Sequence, residues 1–166
     1  MKQNFLNSFF VIACATLMVL PGCIGGDKKE TNKVTAKKSL YVVNVLDEKL
    51  YNECHIEGSV NVPFTQVKSW AQTIDKNAEV VMYCANYACT ASGIGAKQLI
   101  DMGFKKVWAY EAGMHDWFKN GLPSICPVES TYLKRPNIEP EEEAINVPVI
   151  TTIELKEKMT KHGFFQ

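Results

Sequence analysis

The chain carries no net charge: 18 Lys and Arg stand against 18 Asp and Glu in 166 residues. No basic stripe interleaved with aromatics is present, so nucleic acid is not an expected partner. Beyond Leu20 no apolar run is long enough to cross a bilayer. Cysteine is sparse after the leader, at Cys54, Cys84, Cys89 and Cys126. Cys84 and Cys89 lack a second close-spaced Cys/His pair, so no metal site is expected. Between Cys84 and Ser92 there is no lysine or arginine.

The N-terminus reads as a leader rather than as part of a fold. Lys2 is a positive start, Phe5 to Leu20 is an apolar core, and Leu20-Pro21-Gly22-Cys23 follows. This order resembles the signal peptide and lipobox of bacterial lipoproteins, in which the cysteine is lipidated and becomes the new N-terminus. The resemblance implies cleavage after residue 22, a lipid on Cys23 that holds the protein to a membrane, and an exported, periplasm-facing address. Ile24 follows Cys23 where an aspartate would mark inner-membrane retention. The outer membrane is therefore expected if the cell is Gram-negative. Residues 23–38, rich in glycine, lysine and polar side chains, read as a flexible tether. About 125 residues remain, enough for one domain with its own core. An exported compartment permits disulfides, and four cysteines allow three full pairings among which sequence does not choose.

The rest alternates between two periodicities. Leu40–Leu46 is a β-branched apolar run and reads as a buried strand. Asp47 is placed to cap a short helix through Glu53. Ser59–Pro63 is a short strand stopped by proline. Phe64, Val67, Trp70, Ala71 and Ile74 have helical spacing. Glu79–Tyr83 is a second buried strand, Thr90–Met102 a helix with Gly103 as its stop, and Lys106–Tyr110 a third strand. Gly113–Asn120 is a short helix. Alternation of this kind implies an α/β domain with a mostly parallel sheet flanked by helices on both faces. Ligands of such sheets sit beyond the carboxyl ends of the strands. Cys84 stands at one of those ends.

Cys84 therefore has three readings: a nucleophile held in a loop, half of a disulfide with Cys89, or a buried thiol without a role. A free thiol with a pKa of ~8.5 is mostly protonated at neutral pH. A loop curled around the sulfur can aim backbone N–H groups at it, and the following helix adds the positive end of its dipole. Ala85, Ala88 and Ala91 are small enough to let the backbone curl closely. Thr90 and Ser92 offer hydroxyl donors.

Four segments, "VVNVLDEKLYNECHIEGSVNVP", "VVMYCANYACTAS", "LIDMGFKKVWAYEAGMHDW" and "KNGLP", fall in the order and spacing of a rhodanese domain. The chain resembles that family from about Leu40 to Pro123. The resemblance implies a single rhodanese-like domain over residues 39–125 and a sulfurtransferase activity. Cys84 would carry a sulfane sulfur as a persulfide, taken from thiosulfate, polysulfide or a protein persulfide and given to a thiol or to cyanide. The backbone of Ala85, Asn86, Tyr87, Ala88, Cys89 and Thr90 would form the anion-binding loop. Two half-reactions give ping-pong kinetics. No dissociable cofactor is implied, and a monomer is expected. The rival reading is a non-catalytic redox or persulfide sensor, or binding module, using Cys84 and Cys89.

The chain departs from the family pattern in two segments. The loop's customary closing arginine is replaced by Cys89, so no basic side chain meets the charge of thiosulfate. For the same reason there is no arginine fork for a phosphate or arsenate. The opening strand ends in Asn44-Val45-Leu46 instead of Asp-Val-Arg. Cys89 is either a candidate resolving thiol or a small apolar filler. Cys54 and His55 read as packed at a helix end, with His55 bonded to backbone. His115 is expected on the exposed side of its short helix, Tyr87 exposed in the loop, Trp108 and Trp117 in the core, and residues 111–113 on the rim. Residues 126–166 read as an extension with one amphipathic helix, Thr152–Met159, capped by Thr152. It is either the stub of a second domain or a segment that folds back on the first.

Overall fold

The computed structural model describes residues 39–128, 130–138 and 145–165. The expected leader, the expected lipidation site at Cys23 and the expected tether lie outside these residues. So does the acidic run at 139–143.

Strand β1 (Leu40–Asn44) leads into α1 (Glu48–Glu53), which Asp47 caps by accepting the Leu50 N–H. Two short strands follow, β2 (His55–Ile56) and β3 (Val60–Asn61). A 3-10 turn (Phe64–Gln66) runs into α2 (Val67–Ala71), so the longer helix expected here is split. Its first turn is tightened by Gln66 N–H donating to the Pro63 carbonyl. Then come β4 (Glu79–Tyr83), α3 (Ala91–Asp101), β5 (Lys106–Tyr110) and α4 (Gly113–Lys119). Strand β6 (Ser124–Ile125) and helix α5 (Thr152–Lys161) complete the named elements.

The main sheet has the order β3-β1-β4-β5 with every pairing parallel. From β1 the chain moves to one side, to β3, and then crosses back to β4 on the other. The order of strands therefore reverses between β1 and β4. Their carboxyl ends, Asn44 opposite Tyr83, form the crevice where such sheets hold ligands. Alternate side chains build two cores. Leu40, Val42, Val81, Tyr83 and Tyr110 face α4 and α5 residues Met114, Trp117, Leu155 and Met159. Val43, Val80, Met82, Val107 and Ala109 face α2 and α3 residues Val67, Ala71, Ala96 and Leu99. Burial on both faces is why these strands read as continuous apolar runs.

Of the two accounts of the extension, folding back is the one observed. Val149 bridges Ala109 in parallel, at the free edge of β5, with Ala109 N–H donating to the Pro148 carbonyl and Ile150 N–H to the Ala109 carbonyl. Ile150, Leu155 and Met159 enter the first core. The cap of α5 is Thr151, one residue before the position expected. Its hydroxyl accepts from Glu154 N–H while the Glu154 carboxylate takes the Thr151 N–H, a capping box. The Thr152 hydroxyl is used elsewhere, on Asp116 and on Tyr110.

Candidate active site

Cys84 follows the last residue of β4, at the reversal in strand order. The loop from Ala85 to Thr90 is docked on the start of α4. Met114 N–H donates to the Cys84 carbonyl and His115 N–H to the Ala85 carbonyl, each at 2.9 Å. Gly113 makes this docking possible. Its φ is +65°, and a Cβ there would lie 2.7 Å from Ala85 C and from Asn86 N, both backbone atoms. Neither can yield as a flexible side chain would. Gly113→Ala is therefore expected to cost about 1–3 kcal/mol and to displace the loop. Chemical denaturation would check the first effect and amide chemical shifts of residues 84–90 the second. Unchanged shifts would show that the contact does not hold the loop.

The two free thiols of the described residues, Cys84 and Cys89, meet in this loop. Cys84 is fully buried. Its sulfur donates to the Cys89 carbonyl at 2.9 Å, has the Asn86 carbonyl at 3.8 Å, and lies 3.6 Å from the Ser92 hydroxyl. Carbonyl oxygens favour S–H over S⁻. Burial pushes the Cys84 thiol well up and the neighbouring Cys89 adds to this, against the Ser92 hydroxyl and backbone N–H. Cys89 is half-buried. The Cys84 thiol beside it draws its pKa down; burial opposes this, and the Ala91 and Ala85 N–H groups add to the lowering. The net result is a pKa of about 6. A lowered pKa means thiolate above that pH and thiol below it. Iodoacetamide labelling of Cys89 is expected to rise about tenfold per pH unit up to about 6 and to level off near neutrality, with Cys84 unlabelled. Peptide mass mapping reads this, and prior labelling of Cys84 would contradict it.

The loop's other N–H groups are partly committed. Cys89 N–H donates to the Asn86 carbonyl. Tyr87 N–H donates to the Asn137 carboxamide oxygen at 3.0 Å, and Asn137 Nδ2 donates to the Ala112 carbonyl. Asn137 thus ties the extension to both the loop and the start of α4. It sits 50 residues from Tyr87, in a segment without periodicity, and sequence offered no signal for it.

Several expectations are corrected. Tyr87 is half-buried against the first core rather than exposed. His115 is buried, since the face of α4 carrying Gly113, Met114, His115 and Trp117 turns inward. Its Nδ1 has no partner among the described residues. Cys54 and Cys126 form a disulfide across 72 residues, a pairing that sequence left open. Other readings match what is observed. His55 Nδ1 bonds the Tyr51 carbonyl, and Trp117 is fully buried. Trp108, expected in the core, is instead half-buried at its margin under the Lys158 ammonium. Of residues 111–113, expected on the rim, Ala112 and Gly113 are instead buried beneath the loop and only Glu111 is half-buried. Ala88 and Thr90 are the exposed loop positions, and Ala85 and Asn86 are half-buried.

The site is thus a cysteine just beyond an inner strand of a parallel sheet, in a short loop that leads into α3 and is seated on α4. The chain belongs to the rhodanese-like domain family, whose sequence profile matches residues 27–120. It is 26% identical over 88 residues to the thiosulfate sulfurtransferase GlpE of Coxiella burnetii, covering 53% of this chain and 80% of that one. It is 32% identical over 85 residues to the "Putative sulfur carrier protein YrkF" of Bacillus subtilis, covering 51% of this chain. The matched region spans only 45% of that relative's length. The BH2092 protein of Bacillus halodurans has the same fold, with a TM-score of 0.50 at 22% identity over 63% of this chain and 74% of that one.

Proposed function

We propose that the protein is a rhodanese-type sulfurtransferase that carries sulfane sulfur as a persulfide on Cys84. The observation that carries this reading is the position of Cys84, at the carboxyl end of β4 where the strand order reverses, inside a loop seated on α4. In the first half-reaction a thiolate attacks the outer sulfur of the donor. The donor's S–S bond breaks, a cysteine persulfide forms, and the donor leaves as sulfite or as a thiolate. In the second, an acceptor such as a thiol or cyanide takes the outer sulfur and restores the thiolate. No oxidation or reduction is needed overall. Because no lysine or arginine lies between Cys84 and Ser92, a protein persulfide suits the loop better than doubly charged thiosulfate.

The leader supplies the address. Residues 1–22 would be removed, Cys23 lipidated, and the domain held at the cell envelope facing the periplasm, at the outer membrane in a Gram-negative cell. The Cys54–Cys126 disulfide fits an oxidising compartment. Labelling of the full chain with a fatty-acid analogue, lost in Cys23→Ser, is the expected outcome.

The soluble protein, residues 27–166, with Cys84 and Cys89 as free thiols and the Cys54–Cys126 disulfide intact, offered polysulfide or thiosulfate, tests the activity by intact mass. The expected result is a gain of one sulfur that maps to Cys84, is released by cyanide and is absent from the Cys84→Ser/Cys89→Ser double variant. The closeness of Cys84 to Cys89 favours one rival, a thiol redox module. A loss of two hydrogens without sulfur gain would establish that rival instead.

A further inference from the structure

The two thiols of the loop are not equivalent. Cys84 is fully enclosed, and its S–H is turned towards the carbonyls of Cys89 and Asn86, acceptors that hold a proton on sulfur. No donor molecule reaches that sulfur without displacing the loop. Cys89 lies between two exposed residues, Ala88 and Thr90, and is itself half-buried. The neighbouring Cys84 thiol, and after it the Ala91 and Ala85 backbone, lower the pKa of Cys89 against the opposing effect of burial. The groups that favour an anionic sulfur thus gather on the cysteine that solvent can reach. A thiolate, not a thiol, attacks a sulfane sulfur, and access decides which thiolate does so.

Resting on the sulfurtransferase reading, we propose that Cys89 takes the sulfur from the donor and passes it across the loop to Cys84. The Cys89 thiolate attacks the outer sulfur of a persulfide or polysulfide donor. The donor's S–S bond breaks, a Cys89 persulfide forms, and the remainder of the donor leaves as a thiolate or a shorter polysulfide. Cys84 then attacks the outer sulfur of that persulfide. The bond between it and Cys89 Sγ breaks, a bond to Cys84 Sγ forms, and the Cys84 proton goes to the Cys89 sulfur as it leaves. The net change is movement of one sulfur atom, with no electrons gained or lost. Cys89 is then a second catalytic residue, standing where the family pattern places an arginine. Cys84 is the storage site, closed off from water and oxidants.

Single-turnover loading with inorganic tetrasulfide, followed by acid quench and peptide mapping, tests this on the soluble protein with Cys84 and Cys89 as free thiols and the Cys54–Cys126 disulfide intact. Wild type is expected to end with sulfur on Cys84. Cys84→Ser is expected to take up one sulfur on Cys89 and to retain it there. Cys89→Ser is expected to load Cys84 slower by roughly tenfold or more, since its remaining thiol is enclosed and protonated. Cys89→Ser loading at the wild-type rate, with no sulfur on Cys89 in Cys84→Ser, would overturn the relay and leave the sulfurtransferase reading intact. Failure of wild type itself to gain sulfur would overturn both. Circular dichroism and Tm of each variant separate a loading defect from misfolding.

Discussion

Removal of residues 144–166 is expected to leave a chain that no longer melts cooperatively at the parent temperature. Ile150, Leu155 and Met159 are buried in the core on one face of the sheet, the last two completely. At about 2 kcal/mol for each buried side chain, their loss amounts to about 6 kcal/mol, comparable with the whole stability of a domain this size. The truncation also strips Val149 from the edge of β5 and breaks the ion pair of Lys158 with Glu79. That pair adds little beside the core loss because it is partly exposed. The check is thermal unfolding followed by circular dichroism, with the single substitution Leu155→Ala expected to cost about 2–4 kcal/mol. A truncated chain with the parent Tm would mean that the extension is an appendage and that β1, β4 and β5 close their own core.

Reduction of the Cys54–Cys126 disulfide is the second large effect expected. The bond spans 72 residues, and chain-entropy reasoning for a loop of that size gives roughly 4 kcal/mol, of which about 2–4 is commonly realised. The Tm should fall by about 10 °C in reductant or in the Cys54→Ala/Cys126→Ala pair. The bond's place also gives it a local consequence. Downstream of Cys126, the Ser130 hydroxyl donates to Glu53, the Tyr132 hydroxyl donates to the Cys54 carbonyl, and Leu133 is buried. These contacts lead the chain to Asn137 and its bond with the Tyr87 N–H. Opening the disulfide should therefore speed hydrogen exchange at the Tyr87 amide more than at amides of β4. Oxidised and reduced protein melting within a degree of each other would count against both statements.

Most of the fold was legible because its signals are local. The bounds of β4 and β5 coincide with the apolar runs Glu79–Tyr83 and Lys106–Tyr110, since a strand buried on both faces cannot hold polar side chains. The cap at Asp47 was read from one residue type in one place. The errors arose where one local pattern served two registers. Thr151 and Thr152 are equally good caps by type, and the choice between them was made by Asp116 and Tyr110, which take the Thr152 hydroxyl. His115 read as exposed because a seven-residue helix gives too short a periodicity to fix its inward face.

The sequence by itself determined the α/β alternation, the position of Cys84 at a strand end and the small residues of the loop after it. These follow from periodicity and side-chain volume, which act over a few neighbours. Tertiary structure decided which cysteines pair, which of the two loop thiols is enclosed, and that Asn137 takes a loop N–H. Each of those depends on groups 50 or more residues apart, or on which way a sulfur turns within a closed loop. Only packing of the whole chain brings such groups to contact distance, and no spacing along the sequence encodes it.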